Sequence, residues 1–247
     1  MKIKLALICI VLFLSNCKKD ERITFEPIEY TAENCDNCPK VTIQIPKALD
    51  DIAISATINN SLQEEVISML IYDDEIEATN IEEAIQSFKN GYLELKKIYP
   101  DEPVGWEANI AGTVTYENEE ILSIQVNSYT FTGGAHGLSL TRFLNFDKGQ
   151  GLEIETMELF KNSLEFQSFA ESKFREQEKI PTLGSINATG FMFENDEFYL
   201  PQNIGLTQEG LLLFYEQYEI ASYADGPIIL TLPYKELKPF LKLKIES

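Results

Sequence analysis

Cationic side chains are scarce in this chain of 247 residues: 20 Lys and Arg stand against 40 Asp and Glu, for a formal net charge of −20. A polyphosphate partner is held by clustered Lys and Arg that release its counterions, so this balance argues against nucleic acid. Histidine is scarcer still. The single His, His136, argues against a multi-histidine metal site and against chemistry that needs two imidazoles, and neither a metal nor a cofactor is expected. Long apolar runs are limited to Leu5 to Leu14, just after Lys2 and Lys4. At about 1.5 Å per residue this run is too short to cross a bilayer, and it suits the h-region of a secretory signal. No Gly-x-Ser-x-Gly elbow exists through which Ser128 or Ser139, with Asp147, could form a hydrolase triad. Glu194-Asn195-Asp196-Glu197 lacks the spacing and Gly of an EF-hand loop and reads as an acidic turn.

What is present describes a folded chain. The apolar fraction of 44% and the aromatic fraction of 11% supply surface that a disordered chain lacks. Leu14-Ser15-Asn16-Cys17 resembles a bacterial lipobox, in which Cys17 becomes the lipidated first residue. Lys18-Lys19-Asp20-Glu21 resembles the surface-export signal of Bacteroidetes lipoproteins. Removal of residues 1–16 would take away Lys2 and Lys4 but no acid, leaving 18 cations against 40 acids and a net charge of −22. Such a surface steers cationic partners toward it. With Cys9 in the signal and Cys17 at the lipid site, Cys35 and Cys38 remain. Two thiols this close in an oxidising compartment are expected to pair in a structural disulfide.

The expected order is a signal over 1–16, a tether over 17–39, an α+β half over 40–149 and a second α+β half over 150–247. Val41 to Ile45 alternates as a strand. Ile58, Leu62, Val66, Met69 and Leu70 share a helix face, and Asn80 with Glu83 forms a helix-start signature ahead of Ile81, Ile85, Phe88, Tyr92 and Leu95. Strands are expected from Trp106 to Tyr116 and from Ile121 to Phe131. Beyond them come a helix through Phe166, Phe169, Ala170 and Phe174, and short strands at 198–200, 205–207, 211–215 and 228–232. A short helical segment from Tyr234 closes the core. Strands and helices that do not alternate regularly mark an α+β fold, with antiparallel or mixed sheets.

Two segments could carry function. In Phe131-Thr132-Gly133-Gly134-Ala135-His136-Gly137, glycines permit positive φ or close approach, and His136 is either a proton-transfer group or a locally bonded turn residue. From Tyr215 to Gly226, three tyrosines, Glu216, Glu219 and an Asp-Gly turn supply amphipathic rings and acceptors of the kind binding surfaces use. The same rings could equally fill a core. The candidate binding residues are Gly133, Gly134, His136, Tyr218, Glu219 and Tyr223.

Together with Leu206-Thr207-Gln208-Glu209-Gly210-Leu211, these motifs give the chain over residues 40–243 a resemblance to a known extracellular module. It is shared by RsiV-like lysozyme-sensing anti-sigma factors and the N-terminal part of PdaC-like peptidoglycan deacetylases. The resemblance implies an α+β fold and a binding role toward lysozyme, another cationic protein, or a cell-wall glycan. It departs from the family at Gly137, where Pro is common. The sigma-binding segment of the anti-sigma relatives and the catalytic domain of the deacetylases have no expected counterpart here. A non-catalytic envelope lipoprotein, held to the outer membrane by its lipid, is therefore the leading expectation. A polysaccharide-modifying hydrolase using His136 or a carboxylate pair, and a structural lipoprotein without a small ligand, are the alternatives.

Overall fold

The computed structural model describes residues 22–32, 38–50, 52–71, 78–100 and 105–245. The signal, Cys17 and Cys35 lie outside the described residues. The first half is a six-stranded sheet built from β1 (Phe25–Thr31), β2 (Lys40–Ala48), β3 (Glu107–Glu117), β4 (Ile121–Phe131), β5 (Leu138–Asp147) and β6 (Leu152–Glu153), in that spatial order. All neighbours are antiparallel except β2 and β3, which run parallel with Ile43 opposite Ile110. That one parallel pair requires a crossover. Helices α1 (Ala53–Leu70) and α2 (Ile81–Ile98) supply it and cover one sheet face. Along β2 the inward Val41, Ile43 and Ile45 meet Ile58, Leu62 and Val66 of α1, while Lys40, Thr42 and Gln44 face out.

The start of α2 follows its sequence signature in part. Asn80 Oδ1 accepts from Glu83 N at 2.9 Å, but the Glu83 carboxylate reaches one residue further back, to Thr79 N at 2.7 Å. Residues 25–31, expected within a tether, form the edge strand β1 instead. Its Ile28 and Tyr30 pack against the core, which a period-two pattern among so many charges hides.

The second half holds α3 (Ser163–Gln177), a three-stranded antiparallel sheet of β7 (Ile204–Leu206), β8 (Leu211–Tyr215) and β9 (Ile228–Leu232), and the short α4 (Tyr234–Leu237). Its core is aromatic: Phe160 stacks on Phe166 with ring centres 3.8 Å apart, and Phe174 meets Phe193, Phe198 and Tyr215. Residues 198–200, expected as a strand, are irregular. Phe198 is buried by packing on those rings without any ladder partner. The α+β class holds for both halves.

The halves are sewn together by side chains. β7 bonds β8 along one edge; on the other, Leu206 N donates to Ser123 Oγ at 3.2 Å, Thr115 Oγ1 donates to Leu206 O at 2.7 Å, and Asn145 Nδ2 donates to Ile204 O at 2.8 Å. The edge of β5 beyond β6 is covered likewise. Asn203 Oδ1 accepts from Phe143 N at 3.0 Å, and its Nδ2 donates to Thr141 O at 2.6 Å, so one amide side chain imitates a ladder partner. Gly205 lets the Phe143 ring lie against the chain, since an ideal Cβ there would stand 2.0 Å from Phe143 Cδ1.

Asn203→Ala should therefore strand a backbone donor and a backbone acceptor where water is excluded, at a cost of roughly 1–3 kcal/mol each. Chemical denaturation should show a lower midpoint with one cooperative transition. Loss of less than about 1 kcal/mol would mean that this amide does not hold the seam.

Candidate functional site

The Gly-Gly-Ala-His segment closes the β4–β5 hairpin. Gly133 and Gly134 take φ of 106° and 92°, left-handed values that other residues resist. Gly137 is needed for space instead, because an ideal Cβ would stand 2.5 Å from Tyr129 Cε2. The missing side chain admits that ring. His136 is exposed, and its Nδ1 lies 3.2 Å from Gly137 O.

The loop after β8 is held at many points. Glu216 N donates to Glu219 Oε2 at 2.7 Å, Glu219 N returns a bond to Glu216 O, and Tyr218 sits between them at φ 72°. Ile220 and Ala221 are buried anchors. Ser222 Oγ donates to Asp225 Oδ2 at 2.6 Å, and Gln217 Nε2 donates to Tyr223 O at 2.8 Å. Bonds from outside add to these, with Met192 N donating to Ile220 O at 2.8 Å and Tyr199 Oη donating to Glu219 O at 3.4 Å.

The two segments meet. His136 stacks on Tyr223 with centres 4.3 Å apart and planes 25° from parallel, and Tyr218 follows at 5.2 Å from Tyr223. His136, Tyr223 and Tyr218 form one row of rings, and Tyr129 lies nearby against Gly137; Tyr129, Tyr218 and Tyr223 are 40%, 59% and 36% exposed. Of the tyrosines in the loop segment, only Tyr215 is core. It is fully buried, its hydroxyl donates to Tyr199 O at 2.7 Å, and burial pushes its pKa up.

Glu219 leads from the row into a cleft of about 470 Å³ lined by Arg142, Phe143, Tyr199, Leu200, Gln202, Asn203 and Glu216. Arg142 Nη1 donates to Glu216 Oε1 at 3.0 Å, and its Nε lies 3.8 Å from Glu65 Oε1 of α1. The same Glu216 oxygen accepts from Thr141 N at 2.9 Å. Burial pushes the carboxyls of Glu65, Glu216 and Glu219 above the usual carboxylate range, against the opposing pull of Arg142. One guanidinium serves three half-buried acids.

Sequence reasoning found the ring-bearing loops and missed the cleft. Arg142 carried a signal, since the chain has only three Arg and this one interrupts an apolar strand. Ser128 and Ser139 lie on β4 and β5, and Asp147 accepts from Gln150 N and Nε2, so none of them bonds His136. In the 194–197 turn, Asp196 accepts from Ser185 Oγ, and no group of metal-ligating side chains occurs among the described residues.

Residues 32–139 match the family model described as deacetylase PdaC, and residues 158–235 match the one described as a protein of unknown function, DUF3298. The chain is thus similar to the PdaC model over most of its first half and to the DUF3298 model over most of its second. This agrees with the resemblance carried by the two motifs. A crystal structure of a DUF3298 family member from Bacteroides fragilis is similar, with a TM-score of 0.69 at 20% identity over 92% of this chain and 96% of that one. A DUF3298 family protein from Pseudomonas aeruginosa PAO1 gives 0.65 at 19% identity over 90% and 96%. Identities this low speak for the fold alone. Comparison with curated proteins returns no match. His136 lies in the stretch that matches the PdaC model, whereas Tyr218, Glu219 and Tyr223 lie in the stretch that matches DUF3298, so the stacked rings join the two matched stretches.

Because Glu219 ionises at a cost in the folded state, Glu219→Gln should raise the thermal midpoint at pH 7.5. Its raised folded pKa means that the penalty is absent below the unfolded value and complete above the folded one. The gain over wild type should therefore shrink as pH falls into the ordinary carboxylate range. A gain that does not vary with pH, or a loss at pH 7.5, would contradict the burial of this carboxylate.

Proposed function

We propose that the protein is an envelope-anchored, non-catalytic binding module that holds a cationic protein of the lysozyme type. Its contact surface is the row His136, Tyr223 and Tyr218 with the nearby Tyr129 and the adjoining acidic cleft. The observation that carries this reading is the convergence of two distant loops into exposed rings beside half-buried carboxylates. Tyrosines add contact area at little entropic cost, and acceptors next to them suit Lys or Arg. The net charge of −20 steers such a partner inward. A glycan stacking on the exposed Tyr218 ring is the second reading.

Catalysis through His136 is less well supported. One face of its ring lies on Tyr223, and no hydrogen bond joins it to a carboxylate or hydroxyl among the described residues. Glu216 Oε1 already accepts from Thr141 N and Arg142, which leaves it poorly placed to give or take a proton.

Binding of hen lysozyme should show an association rate that falls steeply between low and physiological salt, whereas glycan binding should respond little. Tyr223→Ala should weaken lysozyme binding about tenfold or more, with the thermal midpoint within about 2 °C of wild type. Unchanged affinity, or a collapse in stability, would remove the ring row as the contact surface.

The anchoring belongs to the same proposal: a lipid on Cys17 places the module at the outer membrane, periplasmic or surface-exposed, and a Cys35–Cys38 disulfide closes a small loop ahead of β2. One measurement reads both. The intact mass of membrane-extracted protein, alkylated without reduction, should show a lipid-sized addition on a chain starting at Cys17 and no alkylated thiol. An unlipidated mass, or two alkylated cysteines, would refute the corresponding part. No helix among the described residues is long and apolar enough to cross a membrane.

A further inference from the structure

Against the overall charge, one cavity is lined by cations. After α4 the chain runs beside residues 159–161, with Lys161 N donating to Phe240 O at 2.8 Å and Lys242 N donating to Leu159 O at 2.9 Å. Its end is tied to the β3–β4 turn, where Asn118 Nδ2 donates to Lys244 O at 3.0 Å and Lys244 N donates to Glu120 Oε2 at 2.9 Å. These bonds enclose a half-open groove of about 680 Å³. Lys161, Lys238, Lys242 and Lys244 line it together with Tyr234, Leu241, Leu243 and Ile245, and among the described residues no carboxylate shares the lining.

The composition of that wall states what fits. Four ammonium groups in a chain that carries twice as many acids as bases make a local reversal of field, which attracts an anion. Among the described residues no ion pair engages Lys238, Lys242 or Lys244, whereas Lys173 and Arg175 of α3 are both paired with carboxylates. Lys161 Nζ lies 3.3 and 3.4 Å from the carbonyl oxygens of Pro239 and Lys238, so it is held at the rim by the chain it faces. Leu243 and Ile245 are only partly buried, whereas Leu241 and Tyr234 are buried, and the partly buried pair offers a surface that a purely ionic ligand would leave wet. The volume lies within the roughly 300–1,000 Å³ of small-molecule sites.

We propose that this groove binds an anionic amphiphile, with a phosphate or carboxylate head on the lysines and a hydrocarbon portion along Leu241, Leu243 and Ile245. The site is independent of the ring row. β4 begins at the turn that holds Lys244 and ends at the Gly-Gly-Ala-His loop, which sets the two surfaces about 30 Å apart at a strand rise of about 3.3 Å per residue. The ligand can arrive as a free molecule or as a headgroup of the membrane surface.

The test is titration of the full mature chain carrying Cys17→Ser, so that no lipid of its own holds it to a bilayer, with dodecyl phosphate below its critical micelle concentration, with inorganic phosphate, and with vesicles containing or lacking phosphatidylglycerol. Lys238→Gln/Lys242→Gln serves as the variant, since both side chains are exposed and its melting should match wild type. Saturable binding of dodecyl phosphate that weakens about tenfold in the variant, with no binding of inorganic phosphate at the same concentrations, is the expected result and identifies a free amphiphile. Binding confined to phosphatidylglycerol vesicles, and weakened in the variant, supports the site with the membrane as its source. Inorganic phosphate binding as well as dodecyl phosphate, or binding that the variant leaves unchanged, would overturn the proposal. So would failure of both dodecyl phosphate and vesicles to bind.

Discussion

The unpaired edge of β5 is the constraint on which the arrangement depends. A strand edge carries backbone donors and acceptors that need partners, and in a six-stranded sheet of which the last strand has only two residues, most of β5 is left open. A seventh strand would solve this within the sheet. Here the second half solves it with side chains: Asn203 pairs with Phe143 N and Thr141 O, and Glu216 takes Thr141 N. The reciprocal need, the free edge of β7, is met by Thr115, Ser123 and Asn145 from the first sheet. Each half thus satisfies groups the other would otherwise bury unpaired, which costs more than any single hydrogen bond gains.

This seam also explains where the candidate site lies. Glu216 is at once a cover for the β5 edge and the start of the loop that carries Tyr218, Glu219 and Tyr223. Fixing it against Thr141 brings that loop to the hairpin end of β4 and β5, where His136 stands. Phe143, pressed on Gly205 and 6.4 Å from Phe214, sets the spacing between the two sheets. Under the proposed binding role, a surface held by both halves in this way would lose little binding energy to ordering.

Elements with a clean period were legible in the sequence. The inward Val41, Ile43 and Ile45, the apolar stripes of α1 and α2, and the Asn80 cap all act locally, and local rules describe them. The misses share one physical feature. Strand β1 owes its place to pairing with β2 and not to its own pattern, and Phe198 is buried by distant rings without a ladder. Likewise, the cleft joins Glu65 of α1, Arg142 of β5 and Glu219 of a loop, residues whose separation in the chain conceals their contact. Glycine was half legible. Gly133 and Gly134 mark a turn as any reader would expect, but Gly137 and Gly205 are small because Tyr129 and Phe143 pass over them.

The charge distribution sharpens the contrast between the two surfaces. In the cleft, three carboxylates share Arg142 and are pushed toward protonation by burial, so a second cation entering there would relieve a cost the folded chain already bears. At the far end of β4 the lysines stand in the opposite situation, with like charges gathered around partly exposed apolar side chains and no acid in the wall among the described residues. Neither arrangement is the lowest-energy choice for an isolated domain, since surface charges of mixed sign would repel less. Under the two proposals, the cleft beside the ring row would gain from a cation and the tail groove from an anion, so the two ends of β4 would favour partners of opposite charge.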